Sequence, residues 1–243
     1  MSLLRKGGDA RMFLRTLFTD PWGTPEEREI EIDGVHMRIR RRSSDLFVVR
    51  EVFRRHVYGS PPSGIVVDLG ANIGAYALYA ARTASQVFAF EPESSNFTQL
   101  QKNIAFNRRL PVHIFKKAAG GKNGTRTLYP AGINKGTSSF LTKHSGESEP
   151  VEMITLDHVL ALCGLTHVDF LKVDIEGCEY ELIESASVHT LRRIRALAME
   201  THRVPGKRYR DLVAKIESAG FTVRHAWTRR FFGMRMLFAT RDV

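Results

Sequence analysis

The segment VDLGANIG holds two glycines and two polar residues, and a glutamate follows it in the sequence. Asp68 precedes a glycine turn formed by Gly70, Asn72 and Gly74, and Glu91 comes 21 residues after Gly70. Glycine lets the backbone turn sharply and approach a ligand that a Cβ atom would obstruct. A carboxylate at the position of Glu91 can accept hydrogen bonds from the two hydroxyls of a ribose. The spacing therefore indicates a site for a ligand that contains adenosine.

The residues of this turn distinguish between two such ligands. The dinucleotide fingerprint G-x-G-x-x-G needs its middle glycine so that a pyrophosphate can approach the next helix, and here Asn72 takes that position. Asp68 would repel a pyrophosphate but suits the ammonium and sulfonium groups of S-adenosylmethionine, so electrostatics favours this donor over NAD. We expect its methionine and ribose parts to contact Asp68, Gly70, Asn72 and Gly74, and its ribose hydroxyls to contact Glu91.

A second group of ionisable residues lies in the segment LKVDIEG. Asp174 and Glu176 follow the continuous apolar run VDFLKV, which is typical of a strand buried on both faces. If the methyl acceptor is a hydroxyl, the transfer needs alignment of the acceptor with the donor and a group that takes the hydroxyl proton. Asp174 is the first candidate for this base or for a contact with the donor, and Glu176 is the second. Paired carboxylates also suit Mg²⁺, which leaves a magnesium ion open.

His202 is a competing candidate for the general base. It follows Glu200 at the end of another predicted strand, and an imidazole with an ordinary pKa accepts protons near neutral pH. A zinc site is not predicted, because the chain has no His-x-Glu or Cys-x-x-Cys spacing. Its two cysteines, Cys163 and Cys178, cannot build a disulfide framework either.

Alternating strand and helix patterns position these residues. Short apolar runs predict seven strands, and helical patterns lie between them. The predicted strands are 65–70, 86–90, 112–116, 168–173, 195–200, 221–227 and 234–240, and the helices are 75–83, 93–107, 179–191 and 207–219. The last two strands are separated only by TRRFFG and predict a hairpin. We therefore predict an α/β fold, a doubly wound, mainly parallel seven-stranded sheet with a C-terminal antiparallel β-hairpin and ligands at the carboxyl ends of its strands.

Three segments resemble the signature segments of the FkbM-type S-adenosylmethionine-dependent methyltransferases: VVDLGANIGAYALYAA, FEPESSNFTQLQKNI and VDFLKVDIEGCEYELIE. The resemblance covers residues 45–202 and implies the Rossmann-like class I methyltransferase fold with S-adenosylmethionine as donor. It also places Ala118 and Ala119 where class I enzymes contact adenine through the backbone. Characterised members mainly methylate hydroxyls of polyketides and sugars. The resemblance therefore implies O-methylation of a small molecule, sugar or glycan.

The first 60 residues have a different pattern. EIEIDGVHMRIR alternates around Asp33-Gly34 and predicts a β-hairpin. Residues 45–58 have apolar side chains at helical spacing behind Asp45, a candidate N-cap. We predict an N-terminal cap over residues 1–60, made of helix and β-hairpin, and a class I methyltransferase domain over residues 61–243.

The excess of positive charge lies near the C-terminus. The net charge is +10, and residues 192–243 hold thirteen Lys and Arg against four Asp and Glu. A basic face concentrates anionic partners, which allows an anionic acceptor. Arginines interleaved with aromatic residues also leave open an RNA methyltransferase as the alternative function. These residues are Arg224, Trp227, Arg229, Arg230, Phe231, Phe232 and Arg235.

Other features weigh against a nucleic-acid partner. The Asp/Asn-Pro-Pro-Tyr motif is absent and neither cysteine follows a proline, so nucleic acid is not the expected acceptor. An NAD-dependent oxidoreductase and a binding module without turnover are further alternatives.

Composition indicates a soluble globular protein, with 43% hydrophobic and 26% charged residues. No apolar run approaches the roughly 20 residues that span a bilayer, and the N-terminus lacks the apolar stretch of a secretory signal. We expect a cytoplasmic protein without a transmembrane segment. The sequence carries no signal for its oligomeric state.

Overall fold

The computed structural model describes residues 27–129, 148–226 and 235–242. The first elements in the chain are β1 (Glu27–Ile32), β2 (Val35–Arg40), α1 (Asp45–Phe53), β3 (Gly64–Leu69), α2 (Ala75–Ala80), β4 (Ala84–Phe90), α3 (Ser94–Phe106), β5 (Val112–Phe115) and β6 (Ala118–Ala119). There follow β7 (Gly124–Leu128), β8 (Glu149–Ile154), α4 (Leu156–Leu162), β9 (Val168–Val173), α5 (Glu179–Ser185), α6 (Val188–Arg192), β10 (Ile194–Thr201), α7 (Tyr209–Ser218), β11 (Thr222–Ala226) and β12 (Arg235–Thr240).

Seven strands form the central sheet in the order β11-β12-β10-β9-β3-β4-β5. Neighbouring strands from β10 to β5 run parallel, whereas β12 is antiparallel to both β10 and β11. This arrangement confirms the predicted mainly parallel seven-stranded sheet and its C-terminal antiparallel hairpin. From β3 the chain moves outward to β4 and β5 and later returns to β9 on the other side of β3. Open α/β sheets bind ligands at the carboxyl ends of strands at such a reversal.

Apolar side chains on both faces of the sheet explain the burial of its central strands. On β3, Val67 and Leu69 belong to a core cluster with residues of α4 to α7, whereas Val66 faces a second cluster with α1, α2 and the β1–β2 hairpin. Covering both faces removes the continuous apolar runs of β3 and β9 from water, which is the main stabilising contribution of such strands. The helices on both faces confirm the doubly wound arrangement.

The β1–β2 hairpin forms around Asp33 and Gly34, as the alternating pattern predicts. Both turn residues have positive φ, +52° and +78°, which matches the twist that a two-residue hairpin loop requires. The hairpin packs on α3, where buried Asn103 accepts a hydrogen bond from Arg38 N at 2.7 Å and donates one to Ile73 O at 2.8 Å. Asn103 therefore links the hairpin to the turn after β3. The boundary between a cap and a methyltransferase domain at residues 60 and 61 stays a prediction.

Local expectations were wrong at two places. Asp45 is the first residue of α1 rather than its N-cap, and its carboxylate instead binds the Arg40 guanidinium at 2.8 Å. The predicted helix over 179–191 is two helices, because the Ser187 side chain accepts a hydrogen bond from Thr190 N and caps a new helix, α6.

The region after β5 contains elements that the sequence pattern did not reveal. β6, β8 and β7 form a small sheet, and Thr155 caps α4. Only β7 coincides with a run of strand-forming residues, since β6 has two residues and β8 contains a proline and two glutamates. Within the described ranges, no helix has both the length and the apolar character needed to cross a membrane.

Replacing Asn103 tests the link between the hairpin and the turn. Asn103→Ala leaves Arg38 N and Ile73 O without their partner, so we expect a loss of about 2–3 kcal/mol in the free energy of unfolding, measured by urea denaturation. Thr98→Ala on the exposed side of α3 is the control and should change stability by less than about 0.5 kcal/mol. Equal losses in the two variants would contradict the assignment.

Candidate functional site

The turn between β3 and α2 lies at the carboxyl end of the central strands. Gly70 N and Ala71 N both donate to Phe90 O, at 3.0 and 2.9 Å, and tie the turn to the end of β4. Gly70 has φ +81°, and a Cβ at this position would lie 1.8 Å from Asp174 O. Because the obstacle is backbone, no side chain can be accommodated there. Asn72 also has positive φ, +52°, and its own amide oxygen accepts from Ile73 N at 2.8 Å, a local bond that suits this conformation.

Glu91 meets this turn from the end of β4. It is 5% exposed, and its carboxylate accepts hydrogen bonds from Asn72 N at 2.8 Å and from Glu93 N at 3.0 Å. Burial raises the pKa of Glu91 to about 7, while the two backbone amides oppose this shift. A carboxylate has about four lone-pair positions, so Glu91 can accept further bonds from a ligand. The structure thus brings Glu91 to the glycine turn, as the spacing predicts.

A buried lysine lies beneath the turn. Lys172 on β9 is the register partner of Asp68 on β3, and its Nζ lies 3.0 Å from Asp68 Oδ1 and donates to Gly70 O at 2.6 Å. Burial opposes the ammonium charge, but the carboxylates of Asp68 and Asp174 outweigh it and raise the pKa of Lys172. Asp68 is itself fully buried. Asp68 is thus held beneath the turn by Lys172, and its direct contact with a ligand stays a prediction.

Asp174 follows β9 and has one engaged and one unengaged carboxylate oxygen. Its backbone N donates to Leu69 O at 3.0 Å, and Tyr58 Oη donates to its Oδ2 at 2.7 Å. Among the described residues, five buried side-chain atoms have no hydrogen-bond partner: Asp174 Oδ1, Tyr76 Oη, Arg241 Nε and both oxygens of Asp68, one of which lies 3.0 Å from Lys172 Nζ. Buried polar atoms are nearly always satisfied, and Asp174 lies against the glycine turn, so its Oδ1 indicates a place for a polar ligand. Sequence reasoning did not single out Tyr58, which no motif marks.

His202 lies between the carboxylates of Glu176 and Glu179 and holds the loop that follows Asp174. Glu176 has φ +52°, which is unfavourable for a residue with a Cβ and is often retained at functional sites. His202 Nε2 lies 3.0 Å from Glu176 Oε2, and His202 Nδ1 lies 2.8 Å from Glu179 Oε1. Fully buried Glu179 also accepts from Gly177 N at 3.1 Å. Glu179 was not among the sequence candidates, although it follows Glu176 by three residues in the same segment.

The protonation of His202 decides what it can do. Burial would lower the pKa of His202, but its bonds to Glu176 and Glu179 outweigh this and raise it to about 12. A histidinium has no free lone pair and accepts no proton. The geometry therefore does not favour His202 as the general base expected from the sequence. Burial raises the pKa of Glu176 from its ordinary value, while the bond to His202 opposes the shift.

The same protonation bears on metal binding. Asp174, Glu200 and His202 each have one potential ligand atom within 4.8 Å of the others. Metal ligation needs a neutral imidazole, whereas the two carboxylates hold His202 in its charged form. Glu176 is not one of these three residues and an imidazole is not a ligand that Mg²⁺ prefers, so the magnesium ion left open from Asp174 and Glu176 is not supported.

The remaining sequence candidates lie on other strands or outside the described residues. Ala119 on β6 is buried, follows the carboxyl end of β5 and pairs with Ile154. Arg224 and Arg235 are exposed on β11 and β12. The other residues of the basic aromatic group lie outside the described residues: Trp227, Arg229, Arg230, Phe231 and Phe232.

The raised pKa of Glu91 predicts a pH-dependent contribution to stability. Its unfolded pKa of about 4.3 lies below its folded value of about 7, so the protonated form is favoured on folding and stability falls as pH rises through this window. Glu91→Gln cannot ionise. We therefore expect the free energy of unfolding of Glu91→Gln to rise by about 3 kcal/mol relative to that of the wild type as the pH increases from 4 to 8.

Urea denaturation at several pH values measures this shift. Exposed Glu217→Gln should follow the wild type at every pH. A constant difference between Glu91→Gln and the wild type would show that Glu91 is not perturbed.

Comparisons with known proteins identify methyltransferases that are similar to this chain. The "Methyltransferase sdnD" of Sordaria araneosa is 28% identical, and the match covers 87% of this chain and 95% of that protein. The "31-O-demethyl-FK506 methyltransferase FkbM" of Streptomyces tacrolimicus is also 28% identical, over 73% of this chain and 82% of that protein.

A solved structure shows the fold. The FkbM methyltransferase of Methylobacillus flagellatus superposes with a TM-score of 0.52 and 18% identity over 72% of this chain. This chain spans 43% of that longer protein. The fold is therefore that of class I methyltransferases, as the resemblance implies. The family described as "Methyltransferase FkbM domain" matches residues 68–223, from Asp68 on β3 to β11. This match covers more than half of the 243 residues, and the chain belongs to the FkbM methyltransferase family.

Proposed function

We propose that this chain transfers a methyl group from S-adenosylmethionine to a hydroxyl of a small molecule, sugar or glycan. The observation that carries the proposal is that the glycine turn, which is bonded to Glu91, also lies against Asp174, whose buried Oδ1 has no hydrogen-bond partner. Membership of the FkbM methyltransferase family supports the methyl transfer. The name of the Streptomyces relative, which refers to an O-demethyl substrate, supports an oxygen acceptor.

The donor half of the site has groups that suit each part of S-adenosylmethionine. In this proposal Glu91 accepts the ribose hydroxyls, and Asn72 and the two glycines of the turn let the ligand approach the backbone. Asp174 Oδ1 then receives the ammonium group of the amino-acid end, a charge-assisted bond that satisfies the unpartnered oxygen. Ala119 contacts adenine through its backbone. Asp68 acts through Lys172, which holds Gly70 O.

The acceptor half of the proposed site uses the carboxylate of Glu176, which follows Asp174 by two residues. When bound, S-adenosylmethionine supplies a methyl carbon activated by the sulfonium. Glu176 accepts the proton of the acceptor hydroxyl as the new C–O bond forms and the C–S bond breaks. His202 and Glu179 hold Glu176 in its unfavourable backbone conformation and so align it. His202 is thus a positioning residue for Glu176.

An RNA acceptor depends on a group of residues that is mostly undescribed. Five members of the basic aromatic group lie within residues 227–234, outside the described ranges. Among the described residues around Asp174, the acidic side chains of Glu176, Glu179 and Glu200 outnumber the cationic side chain of His202. This local charge favours a neutral polyhydroxylated acceptor over a phosphate-rich one. The predicted cytoplasmic location stays a prediction.

Calorimetric titration with S-adenosylhomocysteine, S-adenosylmethionine and NAD tests the donor. We expect the wild type to bind the first two ligands and not NAD, and Glu91→Ala to lose at least about tenfold in affinity because the ribose hydroxyls lose a charged acceptor. Glu217→Ala, an exposed change on α7, should bind as the wild type does. Binding of NAD alone, or of no adenosine ligand, would overturn the donor assignment.

Glu176→Gln tests the proton acceptor once a panel of macrolide and sugar hydroxyls has identified a substrate. We expect the rate of S-adenosylhomocysteine release to fall by about 10²–10⁴-fold, because the amide cannot take the proton. Donor affinity should stay within about twofold, since the change lies on the acceptor side. Glu184→Gln on the outer side of α5 is the control. An unchanged rate in Glu176→Gln would exclude this residue as the base.

A further inference from the structure

Tyr58 reaches the candidate site from a part of the chain that the family match does not include. It lies between α1 and β3, outside the matched residues 68–223, and is buried. Its hydroxyl donates to Asp174 Oδ2 at 2.7 Å across 116 residues of sequence. The N-terminal segment thus touches a carboxylate at the centre of the proposed donor site.

The ring of Tyr58 is held from two directions. Tyr76 packs against it at 5.2 Å between ring centroids with an interplanar angle of 74°, an edge-on contact. Lys172 Nζ lies 5.4 Å from the centroid of the Tyr58 ring, within the range of a cation–π interaction. These contacts leave the phenol little freedom to turn its hydroxyl away from Asp174.

The backbone on both sides of Tyr58 is also anchored. Tyr79 Oη donates to Gly59 O at 3.3 Å and lies 2.6 Å from His56 Nδ1. Gly59 N closes a turn onto His56 O at 2.8 Å. A second buried tyrosine therefore fixes the segment that carries Tyr58, without touching Asp174.

The bond from Tyr58 makes the two oxygens of Asp174 unequal. Oδ2 has its donor, whereas Oδ1 is buried without one. Burial and the nearby charge of Asp174 hold the pKa of Tyr58 well above its usual value, so the phenol stays a neutral donor at physiological pH. Without this bond the carboxylate could rotate about its last bond and present either oxygen.

We propose that Tyr58 is a positioning residue for donor recognition, which holds Asp174 so that Oδ1 receives the ammonium group of S-adenosylmethionine. The inference rests on the proposed function, because it needs the donor at this site. Tyr58, a residue outside the family match, would then determine the affinity for the amino-acid end of the donor. Tyr58 itself does not contact the reacting atoms.

Two ligands separate this role from a general loss of structure. S-adenosylhomocysteine carries the amino-acid end, and 5′-methylthioadenosine lacks it. In calorimetric titrations we expect Tyr58→Phe, which keeps the ring, to lose about tenfold in affinity for S-adenosylhomocysteine and less than about twofold for 5′-methylthioadenosine. Asp174→Asn should show the same selectivity. The double variant should bind no more weakly than Asp174→Asn alone, because Tyr58 acts through Asp174.

Tyr209→Phe on α7 is the matched control. It also removes one tyrosine hydroxyl and its hydrogen bond with His225, but Tyr209 does not anchor the segment that carries Tyr58, so the ratio of the two affinities should stay as in the wild type. The proposal is overturned by equal losses for both ligands in Tyr58→Phe, by the same selectivity in Tyr209→Phe, or by additive losses in the double variant. A wild type that binds neither ligand would instead overturn the donor assignment, and the role of Tyr58 with it.

Discussion

A buried ammonium group connects the two strands at which the chain reverses its direction through the sheet. Lys172 on β9 forms an ion pair with Asp68 on β3 and donates to Gly70 O in the turn that follows. Transferring one such charge from water costs several kcal/mol, and removing either member of a buried pair costs about 3–5 kcal/mol. The pair is therefore a poor source of stability but a strong constraint on the relative position of its two strands. The shape of the glycine turn depends on this constraint.

The carboxylates around Lys172 have different surroundings and hence different roles. Asp68 is fully buried beneath the turn, and Glu91 is bonded by backbone amides. Asp174 keeps one oxygen unengaged, while Glu176 is bound to His202. Like charges at such distances repel, so the two cations, Lys172 and His202, allow acidic groups to gather at one edge of the sheet. In the proposed function, the donor half of the site lies near Lys172 and the acceptor half lies near His202.

The N-terminal segment is part of this construction rather than an appendage to it. Apolar residues of the β1–β2 hairpin share a core cluster with β3 and α2, and Asn103 connects the hairpin to Ile73 in the turn. Tyr58 extends the same segment to Asp174. Residues that precede the family match therefore support the side chains inside it.

Local patterns in the sequence were sufficient for much of the fold and for part of the site. Apolar runs predicted all seven strands of the central sheet, since a strand buried on both faces must be continuously apolar. The sharp turn at Gly70 and the position of Glu91 next to it were predicted from short-range spacing. The β6–β8 sheet and the break between α5 and α6 did not, because short strands and a single serine cap give weak patterns.

The sequence by itself determined the strands of the central sheet along the chain, the glycine turn and the family, because each of these depends on residues that are close together in the sequence. Only the tertiary structure decided which charged groups meet. In the structure His202 lies between Glu176 and Glu179, and their carboxylates favour the charged form of this candidate base. Tyr58 donates a hydrogen bond to Asp174, from which it is separated by 116 residues in the sequence. Proton affinity and hydrogen bonding depend on burial and on distances of a few ångströms, and sequence separation does not encode either quantity.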